Sequence, residues 1–164
     1  MKKTLKLLLY VIAVILIVIQ FFHPAKNTNT SPVFANDITS RYNVPEPVLS
    51  VLKTSCYDCH SNNTVYPWYS KIQPVAWWLN NHIEEGKGEL NFNEFAGYKI
   101  RRQYKKLEEI INEIKEDEMP LTSYTLIHKK AVLSPDQKLL ITNWANELRA
   151  GIKASTPPDS LIKR

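Results

Sequence analysis

Cys56-Tyr57-Asp58-Cys59-His60 is the one stretch of this chain whose residue types and spacing match a known chemistry. Two thiols three positions apart, at the end of a helical turn, can each add to one of the two vinyl groups of a single porphyrin. The next side chain, His60, then lies under the iron and can donate a ring nitrogen as proximal ligand. The chain has 2 cysteines in all, which leaves none for a disulfide framework. Two other chemistries can use such a pentapeptide. A dithiol–disulfide pair needs a preceding strand in a βαβ setting. Here Glu46-Pro47-Val48-Leu49-Ser50-Val51-Leu52-Lys53 reads instead as a helix with proline in its first turn. A zinc site could combine Cys56, Cys59 and His60 with His82 or His128, but the second separated ligand pair of a structural zinc site is missing. Covalent haem c is the favoured reading.

Haem iron has a sixth position. The chain has 2 methionines and one is the initiator Met1, so Met119 is the only internal thioether. It lies in Glu116-Asp117-Glu118-Met119-Pro120-Leu121, on a turn after a helix, and the following proline stiffens that turn. A methionine more often fills a gap in a core, but this flanking sequence is acidic. Met119 is therefore the expected distal ligand. His128 is the alternative, giving a bis-histidine iron; its simpler role is a hydrogen bond or a helix cap. His82 is expected at the surface or beside the ligands, and His23 is expected to be structural. Tyr66, Trp68, Tyr69, Trp77 and Trp78 could cover a porphyrin face, with ordinary core packing an equal alternative. Arg101 and Arg102 could meet propionates, although a solvated helix face is the simpler reading.

These residues must be carried by the right elements in the right compartment. Met1 to Lys6 is a short basic start, and Leu7 to Phe22 is apolar except for Gln20. A helical span needs roughly 20 apolar residues. With Thr4 and Leu5 the segment is just long enough, with some local thinning of the bilayer. A cleaved signal peptide is the alternative; His23-Pro24-Ala25-Lys26 is a poor cleavage site, and Val33-Phe34-Ala35 lies far from the apolar stretch. An uncleaved anchor over residues 1–22 is favoured. Lys2, Lys3 and Lys6 should stay in the cytoplasm, placing the rest in the periplasm. Covalent attachment of c-type haem also takes place outside that membrane, so two independent signals agree.

The formal charge is +5, but Lys2, Lys3, Lys6 and Lys26 lie in or beside the anchor. Without those four, 17 of the 21 basic residues face 16 acidic ones, so the exported part is nearly neutral. A nucleic-acid footprint is not supported. Residues 23–44, rich in Asn, Ser and Pro, read as a tether. Residues 45–151 form one domain, and 152–164 a tail. Pro74 opens a helix that Gly86 and Gly88 should stop. Arg101 to Asp117 is the clearest helix: Tyr104, Leu107, Ile110, Ile111 and Ile114 recur at helical spacing, and Lys105 and Glu109 are spaced to pair. The last helix opens on the capping box Ser134-Pro135-Asp136-Gln137, buries Leu140, Ile141, Trp144 and Leu148, and should end at Gly151. Only short runs such as Tyr124 to Ile127 could be extended. The fold class is all-α, a cytochrome c-like helical domain around one covalent haem after a single transmembrane helix.

The chain resembles the bacterial haem-binding domain family of small, membrane-anchored single-haem c-type cytochromes. The resemblance rests on Cys56-Tyr57-Asp58-Cys59-His60-Ser61-Asn62-Asn63-Thr64, Tyr66-Pro67-Trp68-Tyr69-Ser70, Pro74-Val75-Ala76-Trp77, His82-Ile83-Glu84-Glu85-Gly86, Met119-Pro120 and Tyr124-Thr125-Leu126-Ile127-His128. It covers roughly residues 45–150. It implies haem attached at Cys56 and Cys59 with His60 on the iron, and leaves the sixth ligand open. One-electron transfer with membrane or periplasmic redox proteins is the expected function, by a carrier rather than an enzyme. The rival is a haem sensor or small haem enzyme, which needs an open sixth site; no distal His-Arg pattern stands out.

Overall fold

The computed structural model describes residues 2–29 and 34–162. Met1, Lys163, Arg164 and residues 30–33 lie outside the described residues. These include part of the expected tether and the first position of the Val33-Phe34-Ala35 site. Every regular element is helical, with no strand among the described residues. The α-helices are α1 (Lys2–Val18), α2 (Ile38–Arg41), α3 (Glu46–Ser55), α4 (Tyr57–His60), α5 (Val75–Glu89), α6 (Ile100–Lys115), α7 (Thr122–Thr125) and α8 (Pro135–Ser155). The run Tyr124 to Ile127, which could have been extended, begins inside α7; the Leu121 carbonyl accepts from the Tyr124 and Thr125 amides, which starts a helical turn.

Helix α1 runs on through a 3₁₀ turn to Phe21, making 20 residues, of which an 18-residue stretch has mean hydropathy 2.5 and is not buried. At ~1.5 Å per residue that is about 30 Å, the thickness of a hydrocarbon core. Among the described residues, one helix is thus long and apolar enough to cross a membrane.

The rest packs in two unequal apolar clusters. In the larger one α6 and α8 lie against each other, with α3 beside them. Leu107, Ile110, Ile111 and Ile114 of α6 meet Ile141, Trp144, Ala145 and Ile152 of α8, closed by Val48 and Leu52 of α3 and by Phe92 and Phe95. The expected capping box forms: the Ser134 Oγ accepts from Gln137 N, and the Gln137 side chain accepts from Ser134 N. Lys105 and Glu109 pair at 3.0 Å. The smaller cluster is Tyr69, Leu79 and Ile83, with Cys59 and Tyr66 packed on it.

Two expected helix ends are corrected. Helix α5 continues through Gly86 and Gly88 to Glu89, and α8 continues through Gly151 to Ser155. Glycine weakens a helix interior by only about 1 kcal/mol, which tertiary packing overrides. At Gly86 the packing reason is visible: a Cβ there would stand 2.8 Å from the Cys59 carbonyl oxygen.

The stretch read as a tether is also packed in places. Ile38 is fully buried in the larger cluster, and Tyr42 and Val44 pack against it. Asn27 is buried, donating to the Ser61 carbonyl and Thr64 Oγ1 at 2.9 Å each. A single isoleucine and a single asparagine in polar surroundings do not shift composition, yet they fasten the chain.

Candidate functional site

Helix α3 ends at Ser55, and Cys56, whose amide donates to Leu52 O, caps it while leading directly into the one-turn helix α4. That turn sets Cys56 against the larger cluster and Cys59 against the smaller one. The pentapeptide is therefore the joint between them. The two residues between the cysteines are both used. Tyr57 stacks on Phe92 with ring centres 5.1 Å apart. Asp58 accepts from the Tyr124 hydroxyl at 2.6 Å and from the Val65 amide at 3.1 Å. Phe92 also donates its amide to the His60 carbonyl at 2.9 Å.

His60 is oriented by α5. Its Nδ1 lies 2.9 Å from the Gly86 carbonyl oxygen and 3.0 Å from that of Leu90. Carbonyls only accept, so Nδ1 carries the proton and Nε2 keeps its lone pair. Burial holds the imidazole pKa below its ordinary value, against the two carbonyls, and the Lys106 charge pushes the same way. A neutral ring pinned at Nδ1 with a free Nε2 is the arrangement of a metal-ligating histidine.

Two adjoining cavities, of about 430 Å³ and about 270 Å³, share Ser55, Cys56, His60, Glu89, Met119 and Pro120 as walls. The larger is completed mainly by apolar side chains, among them Leu52, Phe92, Ile110 and Ile114. The smaller also takes in Cys59, His82 and Tyr124. Met119 reaches the cleft because α6 ends in a tight turn. Asp117 sits in the left-handed region at φ 61°, and the Glu118 and Met119 amides both fold back to the Glu113 carbonyl. Cys56, Cys59, His60 and Met119 thus share one cleft.

The other candidates are placed differently. His128 lines neither cavity; its Nε2 is 2.7 Å from the Tyr69 hydroxyl and its ring stacks on Tyr124. His82 lines the smaller cavity while its Nδ1 bonds the Trp78 carbonyl one turn back. His23 Nε2 meets the Lys71 carbonyl. Tyr66, Trp68, Tyr69, Trp77 and Trp78, for which porphyrin contact and ordinary packing are equal readings, line neither cavity; the aromatic rings in the walls are Phe92 and Tyr124. Tyr66 is drawn off to the Asn27 amide, and Tyr69 to His128. Arg101 and Arg102 line a separate cavity, and Arg102 lies over the Tyr98 ring at 4.1 Å.

The cation that does line the cleft is Lys106, which sequence reasoning missed. Its ammonium bonds Glu109 at 2.6 Å and Glu89 at 2.8 Å. Burial opposes that charge, but the two carboxylates outweigh it and hold the pKa above the ordinary lysine value. Lys106 follows Lys105 on a helix full of lysine and glutamate, so only its register, one residue before Leu107, marked it as near the buried stripe. Also missed was an asparagine network beside the motif. Asn93 Oδ1 accepts from the Asn62 amide at 2.8 Å, Asn91 donates to Asn62 Oδ1 at 2.7 Å, and Asn93 donates to Asp37 at 2.7 Å. The pattern Asn91-Phe92-Asn93 was its only signal.

The donor set narrows the chemistry. Burial pushes Cys56 up to about 12 and Cys59 up to about 11, the reverse of the lowered thiol pKa of a dithiol nucleophile. Among the described residues no three His, Cys, Asp or Glu side chains converge to hold a metal ion by themselves. What fits is a large apolar group bearing its own metal: the cavity is within the ~300–1,000 Å³ range of small-molecule pockets, its walls are mainly apolar, and a neutral imidazole faces it. No curated protein and no solved structure matches the chain. A family model described as haem-binding domain matches residues 14–147, which takes in the end of α1, the motif, the cleft and most of α8. With the match running over most of its length and the cleft built for such a group, the chain belongs to the haem-binding domain family.

Proposed function

We propose that the chain is a membrane-anchored single-haem cytochrome of the c type that carries one electron at a time outside the cytoplasmic membrane. The observation that carries this reading is the convergence of two thiols, a tautomer-fixed imidazole and a thioether on one mainly apolar cleft. Cys56 and Cys59 would hold the porphyrin through thioether bonds, His60 Nε2 would be the proximal ligand and Met119 the distal one. Haem, when bound, supplies an iron that changes by one electron. The chain's own residues then set how that electron is held. The Gly86 and Leu90 carbonyls raise the donor strength of His60 through its Nδ1 proton. Leu52, Phe92, Ile110 and Ile114 keep water from the porphyrin face. Lys106 adds a positive charge at the cleft, which disfavours the oxidised iron. Helix α1 would hold this carrier beside membrane or periplasmic redox partners and raise its local concentration there.

The test is chemical. Protein purified from membranes and denatured should keep its haem stain, and its mass should exceed the chain by one haem. Cys59→Ala should weaken or abolish attachment. Colour that is extracted by acid-acetone would overturn covalent binding. Wild-type protein that takes up carbon monoxide readily would overturn the six-coordinate carrier in favour of a sensor or enzyme.

A further inference from the structure

The end of the apolar helix is clasped to one edge of the domain. Gln20 Oε1 accepts from the Gln73 amide at 3.0 Å, and Gln20 Nε2 donates to the Gln73 carbonyl at 3.2 Å. Gln73 Nε2 donates to the Phe22 carbonyl at 2.6 Å, and the Lys71 carbonyl meets His23. Gln73 itself is buried. These contacts fix the segment Lys71–Gln73 at the point where a spanning helix leaves the hydrocarbon.

Large apolar side chains lie exposed on both flanks of that segment. Trp68, three residues before Lys71, is 73% exposed; Val75 and Trp78, two and five residues after Gln73, are 37% and 46% exposed. Ile127, 61% exposed, joins them across an apolar groove of about 230 Å³ that Cys59 also lines. From Val65 to Leu79 the only charged side chain is Lys71. A contiguous apolar patch of this kind is unusual on a surface that faces water alone. Tryptophan is enriched where a membrane meets water, because its ring is apolar and its N–H is polar.

We propose that the face formed by Trp68, Val75, Trp78 and Ile127 rests in the lipid headgroup layer, so that the domain sits on the bilayer rather than swinging from a tether. This rests on α1 spanning the membrane. Continuity selects lipid over a protein partner: the patch flanks the residues that grip the end of the span, so it cannot be far from the interface. Lys71, with Lys129 and Lys130 close after Ile127, suits lipid phosphates. Because Cys59 lines the same groove, the second cysteine's side of the cofactor cleft is turned toward the lipid.

The full chain, labelled with 5-fluorotryptophan and placed in phosphatidylcholine–phosphatidylglycerol nanodiscs, provides the test. Its 4 tryptophans, Trp68, Trp77, Trp78 and Trp144, are assigned through single Trp→Phe variants and read by fluorine NMR in the reduced state. Lipid spin-labelled near the headgroup should broaden Trp68 and Trp78 severalfold more than the buried Trp144. A gadolinium chelate in the water should leave all three sharper than it leaves a solvent-exposed reference. If the protein stays with the discs but the chelate, not the lipid label, broadens Trp68 and Trp78, the domain stands off the bilayer and the inference falls. If neither reagent reaches them, protein covers the patch and the inference also falls. Protein that does not stay with the discs refutes the anchor itself, a separate and recognisable failure.

Discussion

Gly86→Ala tests how the cofactor motif is held. The added Cβ would lie 2.8 Å from the Cys59 carbonyl oxygen, 3.1 Å from Cys59 Cβ and 3.3 Å from its carbonyl carbon. Two of these are backbone atoms, which cannot swing aside, so either α4 or α5 must move by several tenths of an ångström. Forcing an extra methyl into such a contact costs ~1–3 kcal/mol. Alanine returns ~0.5–1 kcal/mol by its higher helix propensity. The net expectation is a loss of about 1 kcal/mol at mid-range and of up to ~2.5 kcal/mol. Gly88→Ala, two residues on in the same helix, meets nothing within 4 Å and should gain the propensity term alone. For a domain this size 1 kcal/mol moves the melting midpoint by about 4 °C. Circular dichroism melts of the two variants in detergent should thus shift in opposite directions. Gly86 O also accepts from His60 Nδ1, so the same displacement should loosen the imidazole and disturb the visible spectrum of the Gly86 variant alone. Equal stability of the two variants would refute the close approach of α5 to the motif.

Met119→Ala should open the sixth iron site, lower the potential and admit carbon monoxide, seen in the visible spectrum. His128→Ala should leave that spectrum unchanged while costing about 1 kcal/mol through the lost Tyr69 bond, read by denaturant melts. Reversed spectral responses would make the centre bis-histidine. Lys106→Met should lower the midpoint potential in a redox titration and destabilise by about 1 kcal/mol, since its partners Glu89 and Glu109 are partly to largely exposed. Its pH signature follows from the same pairs. For Glu109, burial raises the carboxyl pKa, but the Lys106 and Lys105 bonds and charges prevail and lower it; for Glu89 the Lys106 bond lowers it outright. Their stabilisation is therefore present above the ordinary carboxyl pKa of 4.5 and is lost as pH falls below it. The raised Lys106 pKa gives stability that is full below 10.5 and lost as pH climbs past it. Melts across pH should show both limbs, and Lys106→Met should flatten them. Carbonate-washed membranes should retain the chain; release with a new N-terminus near Asn36 would mean a cleaved signal.

What was legible in the sequence was whatever depends on neighbours along the chain. The stripe of α6, the capping box of α8 and the apolar run of α1 are all local periodicities or local hydrogen-bond patterns, and each appears where its spacing put it. Glycine is ambiguous by the same logic. Its lack of a side chain can mean a helix stop or room for another backbone, and only the fold places Cys59 against Gly86. Lys106 was hidden because a lysine among lysines and glutamates looks solvated; burial comes from α5 and the cleft, far away in sequence. Arg101 and Arg102 lie on the exposed face of α6 that the simpler reading gave them, where Tyr98 and the Gly88 carbonyl engage the Arg102 guanidinium.

The same distinction explains how the site is built. The pentapeptide supplies three donors in one turn, yet nothing within it decides which histidine nitrogen faces the cleft. That choice is made by the carbonyls of Gly86 and Leu90, some thirty residues on, and α5 can bring them there only because residue 86 has no side chain. Phe92 then ties the outcome to the core: it stacks on Tyr57, its amide holds the His60 carbonyl, and its own carbonyl accepts from Ile38. Ile38 lies in the stretch that composition marked as a tether. That stretch is thus part of what holds the His60 backbone in place, through Ile38 and Phe92.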